Sequence, residues 1–429
     1  DWFKQSRTSR DNDKADWYVW ADPKPDGTAP NNWLSIFGGP AWEWDGQRMQ
    51  YYMHSFLTSQ PDVNFHSPAV QDALLDTMRF WLDRGVDGFR LDACNHYFHD
   101  ALLRDNPPLA RSNALDIPDS NPYGFQEHVY DKTQPENLPF LRRIRAVLDE
   151  YPGTIAVGEV GDGDRSPETV GLYTSGGDTL HFCYTFDLFG PEFSGDHFRK
   201  TVKMFEEAAA EGWVCWAFSN HDVTRHVSRF TRPGDDPAVI ARLAIVLLAS
   251  LRGTICLYQG EELALPEAEI AFEDLRDPYG IRFWPSFKGR DGCRTPMPWR
   301  HDISEAAFTT GKPWLPIPAV HRAQAVDVQV ADPDSVLAHY RAAIGFRHAH
   351  PALMEGDIVF LPASDDILAF TRSSSGETLL CVFNLSRESQ VWQVSGPFAP
   401  ATLHPFSSRG AELSGASLLL PPLGYVFVS

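Results

Sequence analysis

Between residues 67 and 258 the chain alternates helix-period segments with short, unbroken apolar runs. Ser67-Pro68 opens the pattern, an N-cap residue followed by proline at the first helical position. Val70, Leu74, Met78, Trp81 and Leu82 then recur at helical spacing until Gly85. Gly88-Phe89-Arg90-Leu91-Asp92 follows as a strand. Four more runs read as strands: Thr154–Glu159, His181–Asp187, Trp213–Phe218 and Thr254–Tyr258. Helical stretches at Leu138–Leu148, Phe193–Gly212 and Pro237–Leu251 separate them. Continuous apolar strands between helices predict an α/β fold whose parallel sheet is covered on both faces. Asp92 and Glu159 end two of these strands, and Asp222 lies just past a third. Acids gathered at the carboxyl ends of parallel strands are what a βα-barrel active site requires.

Strand side chains alternate faces, so Arg90 and Asp92 share one side and Phe89 and Leu91 the other. A guanidinium beside a carboxylate keeps it ionised and oriented. A charged pair that merely holds a strand end would use the same two residues, so the choice rests on the companions.

Residues 1–65 are irregular and rich in aromatics, Pro, Gly, Asp and Asn. Trp17–Trp20 and Tyr51–Phe56 are the strand candidates there, and loops this long usually serve a site. Residues 66–352 hold the barrel strands, a polar insertion at 95–136 and a long loop from Leu263 to about Asp332, with a helix over 333–348. From 353 to 429 the pattern changes to short strand runs separated by turn residues, which predicts an antiparallel β-domain. That domain carries no clustered catalytic side chains.

The 57 acidic and 37 basic residues give a net charge of −20. A surface this acidic disfavours nucleic acid and anionic membrane as partners. No apolar run reaches the length of a membrane span. The six cysteines form no CxxC pair, which argues against a zinc knuckle or redox motif. Cys183, Cys215 and Cys256 sit in apolar runs, so buried thiols in a reducing, cytoplasmic setting are the simplest account. The chain starts without Met or a signal-peptide pattern.

Three acids with Arg90 and His221 suggest glycosidic bond chemistry, which needs a proton for the leaving oxygen and a partner for an oxocarbenium-like carbon. Asp92 suits the nucleophile. Glu159, in an apolar strand behind small residues, suits a general acid with a raised pKa. Asp222 beside His221 suits binding of sugar hydroxyls. A hard cation is the rival use for clustered carboxylates, and Arg90 opposes it. His54, His66, His96 and His99 lack metal spacing. Asp100 and Asp105 are expected to be solvated, Glu261 and Glu262 to make structural hydrogen bonds, and Asp62 to fix a turn or a neighbouring charge.

At these residues the chain resembles the α-amylase superfamily of glycoside hydrolases. Gly88-Phe89-Arg90-Leu91-Asp92, Gly158-Glu159-Val160 and Asn220-His221-Asp222 are similar to three of its signature regions. Gln60-Pro61-Asp62-Val63-Asn64 resembles a fifth region as found in oligo-1,6-glucosidases and α-glucosidases. Gly289 to Trp299 resembles a long-loop motif of the same subgroup. The resemblance implies a (β/α)8 TIM barrel with an inserted loop domain and a C-terminal antiparallel β-domain. It implies a retaining, exo-acting α-glucosidase with Asp92 as nucleophile, Glu159 as acid/base and Asp222 as transition-state stabiliser. Arg90, His221 and Arg290 would line the glucose subsite, Phe37 and Phe56 would wall it, and Gln60 would lie near it. Ala93, where the subgroup carries valine for α-1,6 preference, implies short α-1,4-linked substrates, with transglucosylation as an added capacity. A sucrose or trehalose isomerase and a non-catalytic relative are the other readings. The substrate is a small oligosaccharide or disaccharide, and the protein a monomer or homodimer.

One departure stands out. The family's first signature region, an Asp…Asn-His on an early strand, is absent. The expectation is a chain holding the last five of eight barrel strands, inactive alone, with the full-length protein as the enzyme. No cofactor or metal is expected in the chain, and a structural Ca²⁺ site only in the missing N-terminal part.

Overall fold

The helix opened by Ser67-Pro68 runs over Pro68–Leu82 and buries Val70, Leu75 and Leu82. Trp81, counted in the apolar stripe, is instead exposed. The computed structural model of the chain describes residues 1–110, 117–394 and 402–429. It divides into two units, Asp1–Phe186 with Ala208–Trp213, and Asp187–Glu207 with Val214–Ser429.

In the first unit, the aromatic-rich start forms a small antiparallel sheet of β1 (Trp20–Ala21), β2 (Trp42–Asp45) and β3 (Gln50–Met53), in the order β1-β3-β2. Trp33, Trp42, Val19, Ala21, Ala41 and Met53 make its core. The Trp33 indole donates to the Arg104 carbonyl and the Trp42 indole to Asn31 Oδ1, so the buried N–H groups are satisfied. β2 was not legible in the sequence, because Trp-Glu-Trp-Asp reads equally well as loop.

The parallel strands of this unit are β4 (Gly88–Leu91), β5 (Ile155–Val160) and β6 (Phe182–Thr185). β4 pairs with β5 so that Arg90 faces Val157 and Leu91 faces Gly158. β5 pairs with β6 so that Glu159 faces Tyr184. Gly88 has φ 150°, and a Cβ there would stand 2.0 Å from the Ile155 carbonyl oxygen. Only glycine allows this approach of β4 to β5. The Asn137–Asp149 helix buries Phe140, Leu141, Ile144, Val147 and Leu148. The loop between β5 and β6 holds a further helix, Ser166–Thr174, opened by Pro167.

In the second unit, β7 (Val214–Trp216) and β8 (Thr254–Ile255) are parallel. The Gly195–Ala208 helix turns Phe198 and Phe205 fully inward, and Phe205 meets Trp216 edge-on at 5.3 Å. The Pro237–Ser250 helix is apolar and almost wholly buried. Its C-terminal carbonyls and those just after are met by two buried arginines. Arg347 donates to Ala249, Leu251 and Gly253, and Arg372 to Ser250. Cations placed there satisfy orphan carbonyls and complement the helix dipole. The long 263–332 loop contains short helices at Pro278–Phe283, Ala319–Ala323 and Val326–Ala331, and the helix expected over 333–348 spans Val336–Ala349.

The C-terminal strands are β9 (Asp357–Phe360), β10 (Ile367–Ser374), β11 (Glu377–Asn384), β12 (Gln390–Gln393), β13 (Glu412–Ser414), β14 (Ser417–Leu420) and β15 (Tyr425–Val428). They make two antiparallel sheets, β15-β11-β10-β9 and β12-β14-β13. Ile367, Ala369, Leu380, Val382, Trp392, Leu418 and Val426 share one core. Among the described residues, no helix is long and apolar enough to cross a membrane.

Candidate active site

β4 ends at Leu91, and Asp92 stands just beyond it with 76% of its side chain exposed. The next residue, Ala93, turns sharply into the left-handed region at φ 40° and ψ 47°. This conformation costs a non-glycine residue of order 1–2 kcal/mol and persists only where the surroundings fix it. Here the Ala93 N–H donates to Glu159 Oε2 at 2.8 Å.

Arg90 binds both Asp92 and Glu159. One Nη holds Asp92, and Nη2 lies 2.6 Å from Glu159 Oε1. Arg90 Nη2 also donates to the Tyr184 hydroxyl at 2.7 Å, and that hydroxyl donates to Glu159 Oε1. Glu159 is buried, with 7% of its side chain exposed. Burial pushes its carboxyl up to about 7 against the opposing pull of Tyr184, Arg90 and the Ala93 amide, and Asp92 adds to the rise. Burial alone would lower Arg90, but Tyr184 and Glu159 beside it raise its guanidinium above the ordinary range. Gly158 makes room behind Glu159: a Cβ there would stand 2.7 to 2.9 Å from Leu180, Cys183 and Cys94.

Phe37 and Phe56 pack edge-on at 5.6 Å, and Phe56 also meets the His96 ring at 5.6 Å. Gln60 is exposed, and its side-chain oxygen accepts from the Leu57 N–H, closing its own turn. Asp62 accepts from the Ser55 N–H and hydroxyl. Burial raises its carboxyl although both bonds oppose the rise. Asp62 therefore ties its loop together, as the sequence reading expected.

In the second unit, Asp222 Oδ1 accepts from Arg290 Nη1 at 2.8 Å and Arg294 Nη2 at 2.7 Å. His221 Nε2 lies 3.4 Å from Asp222 Oδ2. Arg290 is itself clamped by buried Asp277, whose two oxygens accept from Nε and Nη2. Burial alone would raise Asp277, but Arg290 wins and holds it below the ordinary carboxylate range. Asp277 also caps the Pro278–Phe283 helix by accepting from the Tyr279 N–H. The structure thus brings His221, Asp222 and Arg290 together, and adds Arg294 and Asp277. Arg294 lay within the Gly289–Trp299 motif and could have been named. Asp277 sits in an aperiodic loop, where Asp-Pro signals a cap but not its partner.

Among the described residues, one group has metal-like spacing, His301, Asp302 and Asp327. It lies outside the clusters above, and Arg300 is paired with Asp302 and 4.0 Å from Asp327. A guanidinium in that position takes up the charge a cation would need.

Two expectations are corrected. Asp100 is buried rather than solvated, because Arg104 folds back on it with Nε, Nη2 and its own N–H. Cys256 is exposed, one residue past the end of β8, although its N–H still donates to the Trp216 carbonyl at 2.8 Å. Glu261 and Glu262 behave as expected, accepting from the Tyr258 and Gly260 N–H groups.

Comparison with known proteins identifies the family. Residues 1–356 match the α-amylase catalytic domain, and residues 358–426 the maltogenic amylase C-terminal domain. A probable α-glucosidase of Rhizobium meliloti is 55% identical over 99% of this chain and 77% of its own length. An oligo-1,6-glucosidase of Heyndrickxia coagulans is 33% identical over 90% of this chain and 74% of its own. The crystal structure of the α-glucosyl transfer enzyme XgtA superposes with a TM-score of 0.95 at 51% identity, covering all of this chain and 79% of that one. The trehalulose synthase MutB of Pseudomonas mesoacidophila gives 0.85 at 30% identity over all of this chain and 80% of its own. The chain belongs to the α-amylase family of TIM-barrel glycoside hydrolases and is of the α-glucosidase type.

Proposed function

We propose that the protein is a retaining, exo-acting α-glucosidase that takes glucose from the non-reducing end of short α-1,4-linked glucosides. The observation that carries this reading is the contrast on one guanidinium. Asp92 is exposed, Glu159 is buried with its carboxyl at about 7, and Arg90 touches both. Two carboxylates on one guanidinium favour the ~5 Å spacing of a retaining pair over the ~6.5–9.5 Å of an inverting pair.

In this mechanism an Asp92 oxygen attacks the anomeric carbon while Glu159 protonates the departing glycosidic oxygen. The glucosyl group is then an ester of Asp92 and Glu159 is ionised. Glu159 takes a proton from water, the water oxygen attacks the anomeric carbon, and Asp92 leaves as a carboxylate. Asp222, oriented by Arg290 and Arg294, serves as transition-state stabiliser, and with His221 and Arg90 it holds sugar hydroxyls. Phe37 and Phe56 supply an apolar wall, with Gln60 beside it. Ala93 supports the α-1,4 preference through the subgroup pattern. No cofactor takes part in these steps.

A second sugar hydroxyl in place of water gives transglucosylation, and the likeness to an α-glucosyl transfer enzyme and a trehalulose synthase supports that branch. The proposed cytoplasmic placement rests on the buried free thiols of Cys94, Cys183, Cys215, Cys293 and Cys381. Product analysis tests the reading. Maltose should give α-glucose with retained configuration, and turnover of maltose should exceed that of isomaltose. Conversion of sucrose to an isomer without free glucose would instead identify an isomerase.

A further inference from the structure

We propose that Tyr184 is the positioning residue of the acid/base, its hydroxyl joining Arg90 to Glu159 and fixing the Glu159 carboxyl in place. The inference rests on the assignment of Glu159 as acid/base. Tyr184 is buried on β6, directly beside Glu159 in the parallel register. Its hydroxyl accepts from Arg90 Nη2 at 2.7 Å and donates to Glu159 Oε1. The Ala93 N–H holds the other oxygen at 2.8 Å. Glu159 is thus gripped from β4, from the turn after it and from β6. Tyr184 supplies the grip from β6, and it ties the arginine of the nucleophile to the acid.

Tyr184 transfers no proton itself. Burial and the neighbouring Glu159 hold its phenol well above the ordinary range. Its effect comes through Glu159, which must be protonated before glycosidic cleavage and ionised after it. Burial favours the first state, and hydrogen-bond donors favour the second. The other charged and titratable groups facing Glu159 are Arg90 and Asp92, with Cys94 and Tyr97 just beyond them. Tyr184 is a neutral donor among them, so its hydroxyl can be removed while the side-chain volume stays nearly the same.

The test is the pH dependence of kcat/KM on maltose for Tyr184→Phe, and for a protein carrying 3-fluorotyrosine at 184, a stronger donor of nearly the same shape. Loss of the donor should move the alkaline limb up by about one pH unit, the size of one hydrogen bond to a charged group. KM should stay within about twofold. The fluorinated residue should move the limb down. Opposite movements are not produced by a purely structural role. An unmoved limb, or movement in the same direction for both, overturns the proposal. Glu159→Gln separates this from the parent reading. Full maltose turnover in that variant removes the acid/base assignment itself, whereas its loss beside an unmoved Tyr184→Phe limb removes only the role of Tyr184.

Discussion

Arg90 and Arg290 each hold two carboxylates, one more exposed and one buried, yet the buried acids titrate in opposite directions. Glu159 shares its arginine with an exposed Asp92, and burial takes it up to about 7. Asp277 receives both Nε and Nη2 of Arg290 together with backbone N–H groups, and it falls below the ordinary range despite its burial. Burial therefore decides the proton affinity only where the donors are few or shared. The first cluster contains a group able to gain and lose a proton near neutral pH. In the second, Asp277 is locked as an anion that positions Arg290, and Arg290 with Arg294 orients Asp222.

The largest effects should separate the two members of the first cluster. Asp92→Asn should abolish turnover of maltose and of α-glucosyl fluoride alike. Glu159→Gln should lower maltose turnover by about 10²–10⁴-fold but largely preserve glycosylation by the fluoride, which needs no proton to leave. Steady-state and burst kinetics on the two substrates check this, and equal losses on both would break the proposed division of roles.

Asp222→Asn should come next, with kcat reduced by about 10²–10³-fold, as for loss of one preorganised transition-state contact. The alkaline limb of its kcat/KM profile should stay where Glu159 sets it. A displaced limb would mean that the second cluster takes part in proton transfer.

A stability effect then probes what lies behind the acid. Gly158→Ala places a methyl group 2.7–2.9 Å from Leu180, Cys183 and Cys94. It should cost about 1–3 kcal/mol through overpacking, read as a lower midpoint in denaturant at unchanged slope. Unchanged stability would show that the pocket behind Glu159 is looser than these distances state.

A second stability effect concerns Glu261, buried beside His226. Burial raises Glu261 to about 8 and lowers His226 to about 3, so between those values the pair is neutral. Folded Glu261 keeps its proton where the unfolded chain has lost it. The folded state therefore binds more protons between pH 4.5 and about 8, and stability falls as pH rises through that window. Glu261→Gln should remove that part of the slope in unfolding measured from pH 5 to 8. An unchanged slope would assign it elsewhere.

Strand positions were legible because β4 to β8 lie in short, largely apolar runs, and Asp92, Glu159 and Asp222 because each lies at or just past the carboxyl end of one. Tyr184 was not. Its importance lies in the register of β6 against β5, which one strand's sequence does not encode. The left-handed turn at Ala93 escaped for a related reason, since a long-range bond to Glu159 supports it and no glycine announces it. Asp277 and Arg294 belong to a loop without periodicity, where partners are set by tertiary contacts. Asp100 misled because Arg104, four residues on, reads as a solvated neighbour until the chain folds the two together.

The proposed mechanism places the glucosyl group on Asp92. Incubation with 5-fluoro-α-glucosyl fluoride, followed by digestion and mass spectrometry, tests it most directly. One fluoroglucosyl adduct is expected, on Asp92, with turnover resuming when an acceptor sugar is added. An adduct on Asp222 or Glu159, or inverted product with no adduct, would contradict it.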